Sequence, residues 1–359
     1  MKALKGFKDI LPDEVALWQF IEQTARDIFH RYGFKEIKVP ILEKTDLFVR
    51  TIGASTDIVE KEMYTFEDRN GSLITMRPEG TASVVRSYIE NGLHVRGAVQ
   101  RLYTIGPMFR HERPQKGRLR QFHQMSVEVL GSNNAKIDTE VMAMAWQILQ
   151  EIGLQANLEI NSLGCAECRP SFKEALQGFL QERIQLLCED CQRRSKTNPL
   201  RVLDCKSENC QAQYVSAPSI LDNLCDACSH HFDEVKQTLD NLDVPYAVNS
   251  KMVRGLDYYT RTTFELITTE LGAQGAIGAG GRYDGLVQQL GGPEVPGIGF
   301  AMGMERLVML LGQKDQVAKQ PSLDLFLVTL GETAYENGFI LLQKLRSQRL
   351  HVMMDHEGR

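Results

Sequence analysis

No run of about 18 consecutive apolar residues occurs in this 359-residue chain, which excludes a membrane-spanning helix. Met1 to Ile10 carries lysines but no apolar h-region, so no secretory signal is read there and a soluble, cytoplasmic protein is expected. Positive charge is not in excess: 41 Lys and Arg stand against 46 Asp and Glu, a formal net charge of −5. That balance excludes wholesale coating of nucleic acid and leaves RNA contact to local basic patches. No G-x-x-x-x-G-K-[ST] is present, and the glycine-rich stretch Ala276 to Asp284 does not fit G-x-G-x-x-G, so P-loop and Rossmann sites are both excluded. Cysteine is missing from most of the chain, because all eight lie between Cys165 and Cys228.

What is present is the ordinary mixture of a globular protein, 24% charged and 43% hydrophobic. The length allows about two or three domains and a large core. Asp13 to Tyr32 reads as an amphipathic helix with Trp18, Ile21, Ala25, Ile28, Phe29 and Tyr32 on one stripe and Asp13 as its cap. Gly33 ends it, and Phe34 to Pro40 follows as a strand. Ile74 to Gly80 leads into a helix through Arg86, with Thr81 placed to accept its first amides. Asp138 to Gly153 reads as a helix and Leu158 to Leu163 as a strand.

The most informative stretch is Phe109 to Glu128, two strands joined by a basic loop punctuated by Pro114 and Gly117. Strand alternation puts Met125, Val127 and Val129 on the core face. Phe122, Gln124, Ser126 and Glu128 share the other face, where no apolar packing calls for them. A charged hairpin with one wet face would account for the alternation alone. Two details favour a site: Arg113, Lys116, Arg118 and Arg120 crowd the loop, and Phe122 pairs an adenine-sized surface with an oxyanion-forking Arg110.

Three further stretches share this vocabulary. Arg254-Gly-Leu-Asp-Tyr258-Tyr259-Thr260 sets an arginine beside paired tyrosines, which on a surface would be plain cation–π decoration. In Ala276 to Asp284 the glycines read as close backbone approach to a ligand, with Tyr283 closing over it. Gly297 to Leu307 reads as a strand feeding a helix with Met304, Leu307, Val308 and Leu311 as its apolar stripe. Arg306 near that helix's start is electrostatically unfavourable, which points to an anion partner.

Taken together and in this order, these stretches resemble the class II aminoacyl-tRNA synthetases, and their wording is most similar to the histidyl-tRNA synthetase family. The hairpin resembles motif 2, the first helix and strand motif 1, and Gly297 to Leu307 motif 3. The stretches around Arg254 and Gly280 resemble the two histidine signatures. The resemblance implies an α+β fold with an antiparallel sheet flanked by helices. It implies a discontinuous catalytic core (1–164 and 244–320), a Cys-rich, mainly helical insertion (165–243) and the start of an α/β anticodon-binding domain (322–359). Ligation of L-histidine to tRNA(His) through histidyl-adenylate, using ATP with Mg²⁺, follows from it, as does a homodimer with Pro40 near the two-fold axis.

Residue by residue, the resemblance assigns Arg110 and Arg254 to the α-phosphate and Arg306 to the γ-phosphate. Glu112 takes the adenine amine and Phe122 the adenine face. Glu79, Thr81 and Gln124 attend the substrate amino group, and Arg254 also its carboxylate. Glu128 and Tyr259 hold opposite edges of the imidazole, beside Tyr258 and Tyr283. Arg113, Gln115, Lys116 and Arg118 face the acceptor stem. Leu119 departs from the aromatic residue common there, which bears only on loop packing.

The cysteines are spaced Cys165-x-x-Cys168, Cys188-x-x-Cys191, Cys205-x4-Cys210 and Cys225-x-x-Cys228, with His230 and His231 following. Such knuckles bring paired thiolates to one tetrahedral zinc ion. Two four-cysteine structural sites, one site with spares, and eight packed thiols all remain open. Beyond a polar linker (Gln313 to Ser322), a strand, a helix over Thr333 to Gln348 and a second strand start a βαβ unit. The chain stops at Arg359, short of what an anticodon-binding domain needs, so a C-terminally incomplete domain is expected. A synthetase-like regulatory subunit of ATP phosphoribosyltransferase is the main alternative, since such paralogues lack the anticodon domain. They also lose adenylate-site residues that stand here. A stand-alone RNA-binding fragment is the weaker third reading.

Overall fold

The computed structural model describes residues 1–54, 56–114, 117–270, 275–313 and 323–357. Helix α1 (Pro12–Arg31) buries Trp18, Ile21, Ala25, Ile28 and Phe29, as their spacing demands. Full burial of each large side chain contributes about 1.5–3 kcal/mol. Its cap differs from expectation: Leu11 is the N-cap, makes no side-chain cap bond, and Pro12 opens the helix. Proline at the first position lacks only an N–H that would be orphaned anyway, so Asp13 sits inside the first turn and favours the dipole from there.

Only Lys35–Glu36 of the expected Phe34-to-Pro40 strand is paired (β1), parallel to Leu102 and Tyr103 at the sheet edge. A small antiparallel sheet follows, from β2 (Leu42–Lys44), β3 (Tyr64–Glu67) and β4 (Leu73–Met76), with α2 (Thr45–Ile52) inserted after β2. Then come α3 (Thr81–Glu90), β5 (Gln100–Phe109), β6 (Gln121–Leu130) and α4 (Ala135–Glu151). Asn134 caps α4 by accepting from the Lys136 N–H at 2.8 Å, so that helix begins three residues before Asp138.

After β7 (Asn157–Ser162) the chain leaves the main sheet and returns only at β8 (Tyr246–Val248). Between them lie α5 (Cys168–Gln181), α6 (Glu189–Thr197), α7 (Glu208–Gln213) and α8 (Asp226–Asn241), with short 3₁₀ turns. Phe172, Leu176, Leu180 and Val202 build a separate small core there. Helix α8 behaves differently, since Phe232, Val235 and Leu239 join the main core. Strands β9 (Thr260–Ile267) and β10 (Ala276–Arg282), helix α9 (Leu286–Gln289), strand β11 (Gly297–Gly303) and helix α10 (Met304–Gly312) complete the larger body.

The main sheet has the order β1-β5-β6-β11-β10-β9-β7-β8, antiparallel throughout its centre and parallel at the two edge pairs. One face carries the core, where Met125, Val127 and Val129 of β6 meet Ile298, Phe300 and Met302 of β11 under α1, α4 and α10. The other face carries the side chains discussed next. Beyond the linker, of which only Gln313 is described, β12 (Leu325–Leu327), α11 (Glu332–Ser347) and β13 (Val352–Met354) form a parallel βαβ unit around Leu342, Val352 and Met354. Among the described residues, no helix is long and apolar enough to cross a membrane.

Candidate active site

A cavity of about 270 Å³ opens on the non-core face of the sheet, lined by Arg110, Phe122, Gln124, Arg254, Glu265 and Arg306 among others. Five elements or loops far apart in sequence thus bring their polar residues to one place. The hairpin register pairs Met108 with Phe122 and Gly106 with Gln124, which lifts Phe122 and Gln124 to the cavity face. Arg110 lies just past the end of β5. Its Nε donates to the Pro78 carbonyl at 2.8 Å, and its guanidinium carbon sits 5.4 Å from the Phe122 ring centroid.

Glu112 also lines the cavity and accepts from Arg118 at 2.9 Å. Arg118 therefore lies with the cavity residues rather than apart from them. Arg113 is exposed, while Gln115 and Lys116 lie outside the described residues. Arg306, in the first turn of α10, donates to the Gly117 carbonyl at 3.4 Å and to the Ala276 carbonyl. Burial, then the neighbouring Arg118, pull its pKa below the ordinary guanidinium value. Concentrated positive charge in a partly desolvated cavity is a site prepared for a polyanion. The next residue back, Glu305, is occupied differently, accepting the His123 amide at 2.9 Å.

Arg254 stands at the seam between this cavity and a more deeply buried cluster. It pairs with Glu265 and lies 5.4 Å from the Tyr259 ring centroid. Burial works against its charge, but Glu265 and Tyr259 outweigh burial and hold it above its ordinary value. Its Nε and the Gln124 Oε1 are buried without a hydrogen-bond partner among the described residues. Orphaned polar atoms beside a cavity are costly unless a ligand takes them.

Behind Arg254 lie Glu79, Glu128, Tyr258, Tyr259 and Tyr283, all buried. Glu128 accepts from Thr81 Oγ1 at 2.7 Å and from the Tyr283 hydroxyl. Burial pushes its pKa up to about 8 against those two bonds. Glu79 accepts the Thr81 and Ala82 amides at 2.7 and 2.8 Å, and burial raises its pKa too. Glu79, not Thr81, therefore satisfies the first amides of α3. The expected cap is displaced because a carboxylate two residues upstream reaches two N–H groups, freeing the Thr81 hydroxyl for Glu128.

The tyrosine rings pack as a set, Tyr258 to Tyr259 at 4.7 Å and Tyr258 to Tyr283 at 5.8 Å between centroids. Burial raises the pKa of all three. The expected glycine role is met only in part. Gly278 borders the cavity, whereas a Cβ at Gly280 would strike Phe264, Phe300 and the Gly299 carbonyl. Closer to the substrate side, a Cβ at Gly299 would collide with the Glu128 carboxylate and one at Gly297 with the Tyr283 ring. Those two glycines make room for the protein's own side chains.

Sequence reasoning missed Glu265, although an acid inside the strand Thr260 to Ile267 was a visible signal. It also missed the buried Arg282, whose Nε donates to Asp138 at 2.8 Å while His231 bonds the same carboxylate at 2.8 Å. His231 is thereby committed to Asp138 and not to the cysteines.

The cysteines divide into two tetrads, Cys165, Cys168, Cys225 and Cys228 in one and Cys188, Cys191, Cys205 and Cys210 in the other. Within each, all Sγ atoms lie within 4.8 Å of one another. The Cys225 and Cys188 amides donate to the Cys168 and Cys210 sulfurs at 3.1 and 3.2 Å. No disulfide joins any of the eight. Each tetrad is a cluster able to hold a metal ion.

Comparison with known proteins shows the family. Residues 6–307 match the family described as histidyl-tRNA synthetase. The histidine–tRNA ligase of Desulfotalea psychrophila is 62% identical over 360 aligned positions, covering all of this chain and 83% of that one. The crystal structure of apo S. aureus histidyl-tRNA synthetase superposes with a TM-score of 0.83 at 38% identity, covering all of this chain and 86% of that one. A Bacillus halodurans structure titled as an ATP phosphoribosyltransferase regulatory subunit/histidyl-tRNA synthetase reaches a TM-score of 0.72 at 19% identity over 99% of this chain and 92% of its own. At that identity the likeness is one of fold alone.

Proposed function

The chain belongs to the histidyl-tRNA synthetase family, and on that premise we propose that it activates L-histidine with ATP and transfers it to the 3′ end of tRNA(His). The observation that carries this is the convergence of Arg110, Arg254 and Arg306 on one cavity, with Arg254 also set against Tyr259 of the buried carboxylate–tyrosine cluster. The regulatory-subunit reading has no such support, because a regulator has no need of three arginines and a stacking ring around one cavity.

The nucleophile is the substrate's own carboxylate, so the protein supplies position and charge. Arg110 and Arg254 hold the α-phosphate as its charge builds, and Arg306 takes the γ-phosphate. Phe122, already under Arg110, stacks the adenine, and Glu112 takes its amine. Glu79, Thr81 and Gln124 receive the ammonium group. Glu128 and Tyr259 hold the imidazole with Tyr258 and Tyr283 around it. A side chain unable to satisfy both ring edges would leave buried groups unpaired, which is how an imidazole is selected. Thr81 and Tyr283 also bond Glu128, which fixes its carboxyl group for that contact.

Mg²⁺, when bound, would supply neutralisation of phosphate charge. Glu265 and Glu305 line the cavity, and their oxygens are the donor type that hard cation takes. Acceptor-stem contact through phosphates is assigned to Arg113, Gln115 and Lys116, whereas Arg118 joins the nucleotide cavity beside Glu112. The domain division is a core of 1–164 and 244–320, an insertion of 165–243 and the start of an anticodon-binding unit over 322–359. A homodimer fits the small sheet, around which Ile41, Leu42, Phe66 and Leu73 are exposed. The same reading gives a cytoplasmic enzyme with structural zinc in its insertion.

The test is histidine-dependent exchange of labelled pyrophosphate into ATP, followed by charging of purified tRNA(His). Exchange that requires histidine and is not supported by other amino acids is expected; its absence sinks the proposal.

A further inference from the structure

The loop Arg254 to Tyr259 carries three residues of the proposed histidine site, Arg254, Tyr258 and Tyr259, but belongs to no helix or strand. Its backbone has no ladder to hold it, so its conformation is set by whatever grips it from outside. From the insertion side that grip comes from two arginines, each placed beside one of the cysteine tetrads.

Arg169 follows Cys168 directly. It donates to the Tyr259 carbonyl and, through Nε, to the Leu163 carbonyl at 3.3 Å. The knuckle is also zipped to the start of β9, with the Leu163 amide on the Arg261 carbonyl at 2.7 Å and the Arg261 amide on that of Gly164 at 2.9 Å. An arginine in the first turn of α5 opposes the helix dipole. Its place is explained by the carbonyls it reaches.

Arg201 lies in the 3₁₀ turn Pro199–Asp204, between Cys191 and Cys205 of the second tetrad. It donates to the Gly255 carbonyl and lies 3.6 Å from the Asp257 carboxylate, which also accepts from Asn198 at 3.1 Å. From the opposite side the Asp257 amide donates to the Ile52 carbonyl at 3.1 Å. Between the insertion and the loop is a cleft of about 310 Å³, lined by Arg169, Asn198, Arg201, Arg254 and Tyr259 among others. The arginines reach along this cleft, so directed bonds hold the loop from the insertion side, while its Tyr258 and Tyr259 pack in an apolar cluster with Leu163 and Tyr283.

We propose that the insertion is a two-zinc brace: each tetrad binds one Zn²⁺, and the two ions hold Arg169 and Arg201 where they position the Arg254–Tyr259 loop for histidine. Four sulfurs in one small cluster suit a tetrahedral ion of four-thiolate type. Binding by pairs of cysteines 57 to 60 residues apart in sequence, as Cys168 and Cys225 or Cys165 and Cys225 are, closes the insertion on itself and couples the ion to its folding. Arg169 and Arg201 are positioning residues, since they touch the loop and not the substrate.

The brace rests on the histidine-site reading above, and its test separates the two. Full chain purified without chelator is analysed for metal, and pyrophosphate exchange is measured as a function of histidine and of ATP. Two zinc equivalents are expected. Arg169→Met and Arg201→Met should each raise the histidine KM about tenfold, leave the ATP KM within about twofold and keep both zinc ions. Arg169→Lys, which retains one donor for a carbonyl, should recover part of the loss. Less than one equivalent of metal with the thiols free overturns the zinc brace. An unchanged histidine KM in both Met variants overturns the positioning role, and so does a parallel rise in both KM values. Wild-type protein without histidine-dependent exchange overturns the functional reading itself, and is seen before any variant is made.

Discussion

The two ends of the candidate site differ in how they treat charge. At the nucleotide end, Arg110, Arg118 and Arg306 share an open cavity with Glu112, and burial with like charge weakens the hold of Arg306 on its proton. At the proposed histidine end, Glu79 and Glu128 are buried, and burial raises both carboxyls above their ordinary range, Glu128 to about 8. In the proposed reading a phosphate chain discharges the positive charge at one end, and a partner with two polar ring edges meets the buried carboxyls at the other. Arg254, paired with Glu265 and placed against Tyr259, belongs to both ends.

That contrast is broken most severely at the seam. Arg254→Ala should lower histidine-dependent pyrophosphate exchange by about a hundred- to a thousandfold, the scale of losing one preorganised charge at a transition state. Loss confined to one substrate's KM would place Arg254 at one end only. A reciprocal pair sharpens the comparison. Glu128→Gln should lower kcat/KM for histidine by roughly a hundredfold with little change for ATP, while Arg306→Ala should chiefly raise the ATP KM, by about tenfold or more. If each variant disturbed both substrates equally, the two ends would not be separable.

The smallest effect is thermal. With its folded pKa near 8, Glu128 keeps a proton that the unfolded chain has already released above about pH 4.3. The native state therefore binds more protons through that window, and its stability falls as pH rises towards 8, then levels. Glu128→Gln removes this dependence. In histidine-free protein, the melting temperature of the variant relative to wild type should climb between about pH 5 and 8. A difference that is flat with pH would mean that Glu128 is ionised from the start.

Much of this site was legible along the chain because its parts are local. Phe122, Gln124 and Glu128 share a face through strand alternation, and Trp18 to Phe29 make a stripe through helical repeat; no distant contact can change either. The misreadings fall where a local rule met a competitor. Thr81 looked like a cap, but Glu79 reaches the same amides and leaves Thr81 to Glu128. Asp13 looked like a cap, but Pro12 opens the helix one residue earlier. The strand after Gly33 shrank to Lys35–Glu36 because it lies at the edge of the sheet, where one neighbour alone decides how far pairing runs.

By itself, then, the sequence determined the kinds of chemistry available: which faces are polar, where arginines cluster, that the cysteines occur in close pairs, and the family to which those motifs point. Only the tertiary structure decided the partnerships. It joined Cys165 and Cys168 to Cys225 and Cys228 across the whole insertion, set Glu265 against Arg254, buried Arg282 on Asp138, and gave Arg169 the carbonyl of Tyr259. The physical reason is one of range. Backbone periodicity and turn chemistry act over a few residues, whereas burial, charge pairing and metal-ligand geometry depend on which distant segments the folded sheet brings within a few ångströms.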